Sequence, residues 1–195
     1  MKIDTQTTYF TRKVVAIIFI IFYFMFLSAK PYENSQVVVE TGTLRFFFFL
    51  FFWIFNQTLT MIHEAGHGVC YLIPHCPQFI TALMGTVFQV GFPLLVAYYY
   101  KKRENILGFY IGLFFVGFTL TYTAWYISTA HEGLYLPAYK SFLGVDGYHD
   151  FNYILDKLHI LKFNTLIAFI VKIIANLTMI YACFKMFLYS IENKK

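Results

Sequence analysis

Five long apolar runs dictate what this chain can become. A helix needs roughly 20 predominantly apolar residues to cross a hydrocarbon core of about 30 Å, and runs of that size recur along the sequence with only short polar breaks. The expected spans are residues 10–29, closing near Lys30 and Pro31; 44–73, stopped by Pro74; 79–100; 106–130; and 164–190. Residues 131–163 are less apolar and contain a short helix beginning near His149. Backbone groups in lipid have no water to bond, which selects helices, so the expected fold is all-α. It is an integral membrane helical bundle of about five transmembrane helices plus the short helix, forming one domain over residues 1–195. The composition agrees: 59% hydrophobic residues and 13% charged ones, against about 25% charged in soluble domains.

The remaining charge is sparse. A net charge of +5 comes from scattered Lys and Arg, with Lys101, Lys102 and Arg103 as the only cluster. That pattern reads as membrane-flanking anchors and excludes a nucleic-acid surface. With the helices alternating in direction from residue 1, Lys2, Arg12, Lys13, Lys140, Lys157 and Lys162 fall on one side. Lys30, Arg45, Lys101, Lys102, Arg103, Lys194 and Lys195 fall on the other, a near balance that leaves orientation open. Arg12 and Lys13 before residues 14–27 resemble a signal peptide, but Leu27 stands where a small residue is expected, so the first helix is expected to be retained. Cys70, Cys76 and Cys183 cannot form a closed disulfide framework and none sits in a CxxC pair, so they say little about compartment.

Against this background, His63, Glu64 and His67 stand out, spelling H-E-A-G-H inside the second apolar run. Residues four apart lie on one face of a helix, so both imidazoles can reach one metal ion at about 2.0–2.1 Å while Glu64 lies beside it. A carboxylate at membrane depth costs roughly 2.5–3.5 kcal/mol even on the lenient insertion scale, and so persists mainly beside a polar cavity or where it serves chemistry. Asn56, Thr60, His63 and His67 follow helical spacing along one side. Gly66 and Gly68 would let another helix or a substrate backbone come close, or simply serve helix packing.

A catalytic zinc ion usually has three protein ligands, so one must come from elsewhere. His75 and Cys76 sit on a turn between Pro74 and Pro77; His131 and Glu132 close the fourth run; His159 reads as a surface residue. The stretch from Gly144 to Leu155 instead gathers Asp146, His149 and Asp150 at the threshold of an apolar helical pattern. Gln89, near Gly85, Gly91 and Pro93, is an amide at membrane depth that can bond a neighbouring helix or a substrate; Asn56 is a second substrate-binding candidate. Lys172 and Asn176 share a face of the last helix and read as snorkelling and polar packing.

An HExxH inside a transmembrane helix, with a later Asp at the start of another helical segment, resembles the site-2 protease group of intramembrane zinc metalloproteases. In that group the downstream motif reads Asp-Gly, then a small residue and an apolar helix, and its Asp is the third zinc ligand. Asp146-Gly147 copies the dipeptide, but Asp150 and Phe151 interrupt the apolar continuation. Asp150 lacks the Gly but has Ile154 and Leu155 at the matching positions. Asp150 is favoured, with Asp146 and His149 as alternative ligands or outer partners. The Asn-x-x-Pro element of that group is absent, as is any appended PDZ domain. The pattern also resembles small bacterial membrane proteins that pair an HExxH helix with a later His-Asp-aromatic motif, here His149-Asp150-Phe151.

The resemblance implies a zinc-dependent endopeptidase of a bacterial cytoplasmic membrane, cutting a peptide or protein within or near the lipid bilayer, with Glu64 activating water on Zn2+. A zinc hydrolase of a lipid or small amide or ester, and a metal-binding or transport protein without catalysis, are the alternatives. Oligomeric state and substrate identity are not legible.

Overall fold

The computed structural model describes residues 5–32, 42–136 and 147–192. Six α-helices account for most of them: α1 (Thr5–Ala29), α2 (Leu44–Tyr71), α3 (Gln78–Lys102), α4 (Ile106–Ser128), α5 (Asp150–Lys157) and α6 (Asn164–Ile191). All but α5 are long and apolar enough to cross a membrane, which is compatible with a multi-pass membrane protein. The bounds follow local chemistry. Thr43 caps α2 by accepting the Phe46 N–H at 3.2 Å, and Asn105 caps α4 by accepting the Gly108 N–H at 2.9 Å. Pro74 and Pro77 bracket the α2–α3 turn, where neither an α2 nor an α3 hydrogen-bond ladder can run through.

Helix α4 is the hub. Its Phe114, Phe118 and Thr119 are fully buried, and small residues bring its neighbours close. A Cβ on Gly112 would lie 2.7 Å from the Ala97 Cα of α3, and one on Gly117 would lie 2.7 Å from the Ala175 carbonyl of α6. Close backbone approach through small residues is how helices associate without a hydrophobic drive between them. Helices α2, α3, α4 and α6 alternate in direction: α2 meets α3 near their shared turn (His67 with Thr81), while Asn164 at the start of α6 donates to the Ser128 carbonyl at the end of α4, 2.9 Å away. Helix α1 lays Phe19, Phe22 and Phe26 against Phe114 and Phe118, and Tyr23 donates to Asn176 Oδ1 of α6 at 3.2 Å.

After α4, a 3-10 turn (Thr129–Glu132) leads to β1 (Tyr135–Leu136), which pairs antiparallel with β2 (Gly147–Tyr148), Tyr135 facing Tyr148 and Leu136 facing Gly147. This two-residue ladder, with the His149 N–H donating to the Leu134 carbonyl at 2.8 Å, returns the chain to the bundle just before α5. Helix α5 then buries Phe151 and Leu155 in a cluster with Tyr122, Tyr126, Ile127, Ala130 and Ala168. Asp146 lies outside the described residues.

Candidate metal centre

Two elements far apart in sequence supply the donors. His63 and His67 project from one face of α2, and Asp150, the first residue of α5, reaches across to them. Asp150 Oδ2 lies 2.9 Å from His63 Nε2 and 3.3 Å from His67 Nε2. One ligand atom from each of the three residues lies within 4.8 Å of the other two, so the cluster could hold a metal ion. Ligands bound at about 2.0–2.1 Å in tetrahedral geometry stand about 3.3 Å apart, so the spacing to Asp150 suits such a site.

The imidazoles are oriented from behind. His67 Nδ1 faces the Thr81 carbonyl of α3 at 2.7 Å, an acceptor only, so Nδ1 carries the hydrogen and donates it. His63 Nδ1 donates in the same sense to Gln89 Oε1 at 3.3 Å, from a side chain that is 1% exposed. Both outward nitrogens are therefore committed and both Nε2 lone pairs point at Asp150, the arrangement that fixes the tautomer of a ligating histidine. Three lone-pair atoms this close need a cation among them, a proton or a metal ion.

Gly85 makes room for them. A Cβ built there would sit 2.6 Å from His63 Nε2 and 2.6 Å from His67 Nε2, so any side chain on this turn of α3 would intrude on the donors. Gly66 serves the same contact from α2, since a Cβ on it would strike the Met84 carbonyl; Gly68 faces open space.

Asp150 is held from the α4 side. Its N–H donates to the Tyr126 hydroxyl at 3.1 Å, and that hydroxyl lies 3.5 Å from Asp150 Oδ2. Burial raises the Asp150 carboxyl, but where the cation among the three is a proton on His63 or His67, the hydrogen bonds and charge it supplies outweigh burial and hold the group below its ordinary value. His149 is not among the converging donors. It caps α5, its Nδ1 accepting the Asn152 N–H at 3.4 Å while Nε2 pairs with Thr129 Oγ1 at 3.1 Å, and its ring stacks on Tyr126 with centroids 4.4 Å apart. Burial pushes its imidazolium down to about 4, leaving a neutral ring that positions Asp150.

Glu64 is exposed on α2, within electrostatic range of His67, Tyr122 and Tyr126. Asn56 accepts from Tyr32 at 3.0 Å, two helical turns from His63, and is not drawn into the cluster. His75 and His159 lie exposed on turns, and His131 Nδ1 accepts from Asn164 Nδ2 at 3.1 Å, where it joins α4 to α6. Cys70 and Cys76 are joined in a disulfide across the α2–α3 turn, Cα atoms 5.7 Å apart, a pairing that the odd cysteine count does not reveal; Cys183 is free and buried. Thr81 and Tyr126 carry no sequence signal of their roles, since one acts through its backbone carbonyl and the other is one of 16 tyrosines. No family model, curated protein or solved structure matches the chain.

Proposed function

We propose that the protein is a zinc-dependent intramembrane endopeptidase of the site-2 kind, with His63, His67 and Asp150 as metal ligands and Glu64 as the proton carrier. The observation that carries the reading is the convergence of both Nε2 atoms and Asp150 Oδ2, with each imidazole's other nitrogen bonded outward, to Gln89 or to the Thr81 carbonyl. Two histidines and one carboxylate are a donor set found in hydrolytic zinc enzymes. Zinc held there would supply Lewis acidity, polarising a carbonyl and acidifying water.

The chain's own residues account for the rest. Glu64 follows His63 directly and is exposed, and there it takes the proton from the attacking water and returns it to the leaving amine nitrogen. Asp150 would offset part of a bound metal's charge, and Tyr126, bonded to the Asp150 backbone, keeps that carboxylate turned toward the histidines. Because Glu64 is exposed while His63 and Asp150 are buried and His67 is half-buried, a peptide substrate approaches along the Glu64 side of α2.

The test is metal content and peptide cleavage by detergent-purified protein, wild type beside Glu64→Gln. Both are expected to carry zinc, and only wild type to cleave a membrane-segment peptide. Near-normal turnover by Glu64→Gln would overturn the mechanism, and metal-free wild type purified without chelators would overturn the site.

A further inference from the structure

The two ends of the bundle differ in chemistry. At one end are the α2–α3 turn, the α4–α5 connection and the start of α6; His67 lies one helical turn and His63 two turns before Tyr71, the last residue of α2. At 1.5 Å per residue, the donors are therefore about 6 and about 12 Å below that end. The Cys70–Cys76 disulfide closes the turn at this same end. The opposite end holds the start of α2, the α3–α4 turn and the end of α6.

The basic residues are partitioned between these ends. Arg45 opens α2, Lys101, Lys102 and Arg103 close α3, and Lys185 lies in the last two turns of α6, all away from the site. The α3–α4 cluster is set in aromatic rings: Lys102 Nζ lies 5.0 Å over Tyr98, Arg103 Cζ 5.3 Å over Tyr99, and Lys101 Nζ 5.7 Å over Phe109, a pairing suited to the headgroup level. Near the site, among the described residues in and around α4, α5 and α6, the counterparts are Lys157, Lys162 and Lys172, the last in the third turn of α6. Helix α1 runs parallel to α2 instead of alternating with it: Arg12, 4.3 Å over the Tyr189 ring near the end of α6, and Lys13 lie at the end away from the site, and Lys30 at the site end.

We propose that the His63, His67 and Asp150 site opens on the non-cytoplasmic face of the membrane and draws its substrate from that side. Two independent observations point the same way. Lys and Arg concentrate on cytoplasmic loops, which puts the α3–α4 turn inside. Disulfides persist in oxidising compartments and are rare in a reducing cytosol, which puts the Cys70–Cys76 turn outside. The proposal rests on the membrane-spanning reading of the helices and not on the identity of the metal. The disulfide then has a structural role at the site, because it ties the last turn of α2 to the segment entering α3. There Thr81 Oγ1 contacts Cys76 Sγ at 3.7 Å and the Thr81 carbonyl orients His67.

The experiment labels single cysteines with a membrane-impermeant maleimide on intact cells. In a Cys70→Ser, Cys76→Ser, Cys183→Ala background, His75→Cys in the α2–α3 turn is expected to label before lysis, and Glu104→Cys in the α3–α4 turn only after it. The reverse pattern, or labelling of both before lysis, overturns the proposal. Because the background removes the disulfide, wild type with green fluorescent protein or alkaline phosphatase fused after residue 195 is read in parallel. A fluorescent, phosphatase-inactive terminus is expected, and an active phosphatase overturns the orientation even where the cysteine variants fail to fold. Alkylation of wild type in cells, followed by mass analysis, is expected to find Cys70 and Cys76 oxidised; both thiols reduced would overturn the proposal. Metal content of wild type is measured separately, so failure of the metal reading and failure of the orientation remain distinguishable.

Discussion

Replacing Gly85 with alanine tests the centre without replacing a donor residue. The added Cβ meets His63 Nε2 and His67 Nε2 at 2.6 Å each, about 0.8 Å inside the ordinary 3.4 Å contact limit. Relief requires α3 to retreat from α2 or both imidazoles to tilt. Either motion exceeds the roughly 0.2 Å tolerance of metal–ligand distances. Loss of an outer partner typically costs about 10- to 100-fold in metal affinity, and displacing two ligands at once should cost at least 100-fold, or about 2.7 kcal/mol. Overpacking should also lower fold stability by about 1–3 kcal/mol. The assay is zinc competition titration in detergent, with helicity and thermal unfolding followed on the same samples. Gly68→Ala is the control, because nothing lies within 4 Å of a Cβ there. A Gly85→Ala protein that binds zinc within threefold of wild type would refute the reasoning.

Asp150→Ala should lose zinc affinity by more than 100-fold in the same titration, whereas Asp146→Ala should leave it unchanged; the opposite ranking would anchor the third ligand on the Asp-Gly dipeptide. Gln89→Leu removes the acceptor behind His63 and should weaken zinc binding about 10- to 100-fold. It orphans the buried His63 Nδ1–H and also removes the unpartnered Gln89 Nε2, so any loss of thermal stability should stay within about 1–3 kcal/mol. His149→Ala deletes the α5 cap and a stacked ring, and should cost about 0.5–2 kcal/mol of stability from the cap alone, read as a lowered unfolding midpoint.

Most of the architecture was legible because membrane-length apolar runs leave little freedom. Expected bounds of 44–73 and 164–190 became Leu44–Tyr71 and Asn164–Ile191. The short helix near His149 was readable from Phe151, Ile154 and Leu155, which line its buried face. Helix α1 begins at Thr5, ahead of the expected residue 10, because the polar run before Tyr9 continues the helix without a breaker. The donors were legible to different degrees. His63 and His67 are tied by helical periodicity, a local rule. Asp150 and Asp146 differ by one helical turn and offer the same carboxylate, so which one reaches α2 depends on how β1 and β2 return the chain. Gly85, the Thr81 carbonyl and Tyr126 gain meaning only through contacts between helices, which no periodicity encodes. The Cys70–Cys76 pairing likewise depends on how the α2–α3 turn closes.

The separation of 87 positions between His63 and Asp150 also sets an order of events during synthesis. The α2–α3 hairpin emerges first with both imidazoles already aimed, and it holds two donors at most. The third arrives only after α4 has been made and the chain has turned back through the β1–β2 ladder. A truncated or stalled chain ending before α5 therefore displays the HExxH helix without a complete metal centre. Ribosome-associated fragments that stop at residue 136 and at residue 163 would mark the two sides of that threshold, as the nascent protein passes from inert to metal-competent within a single short helix.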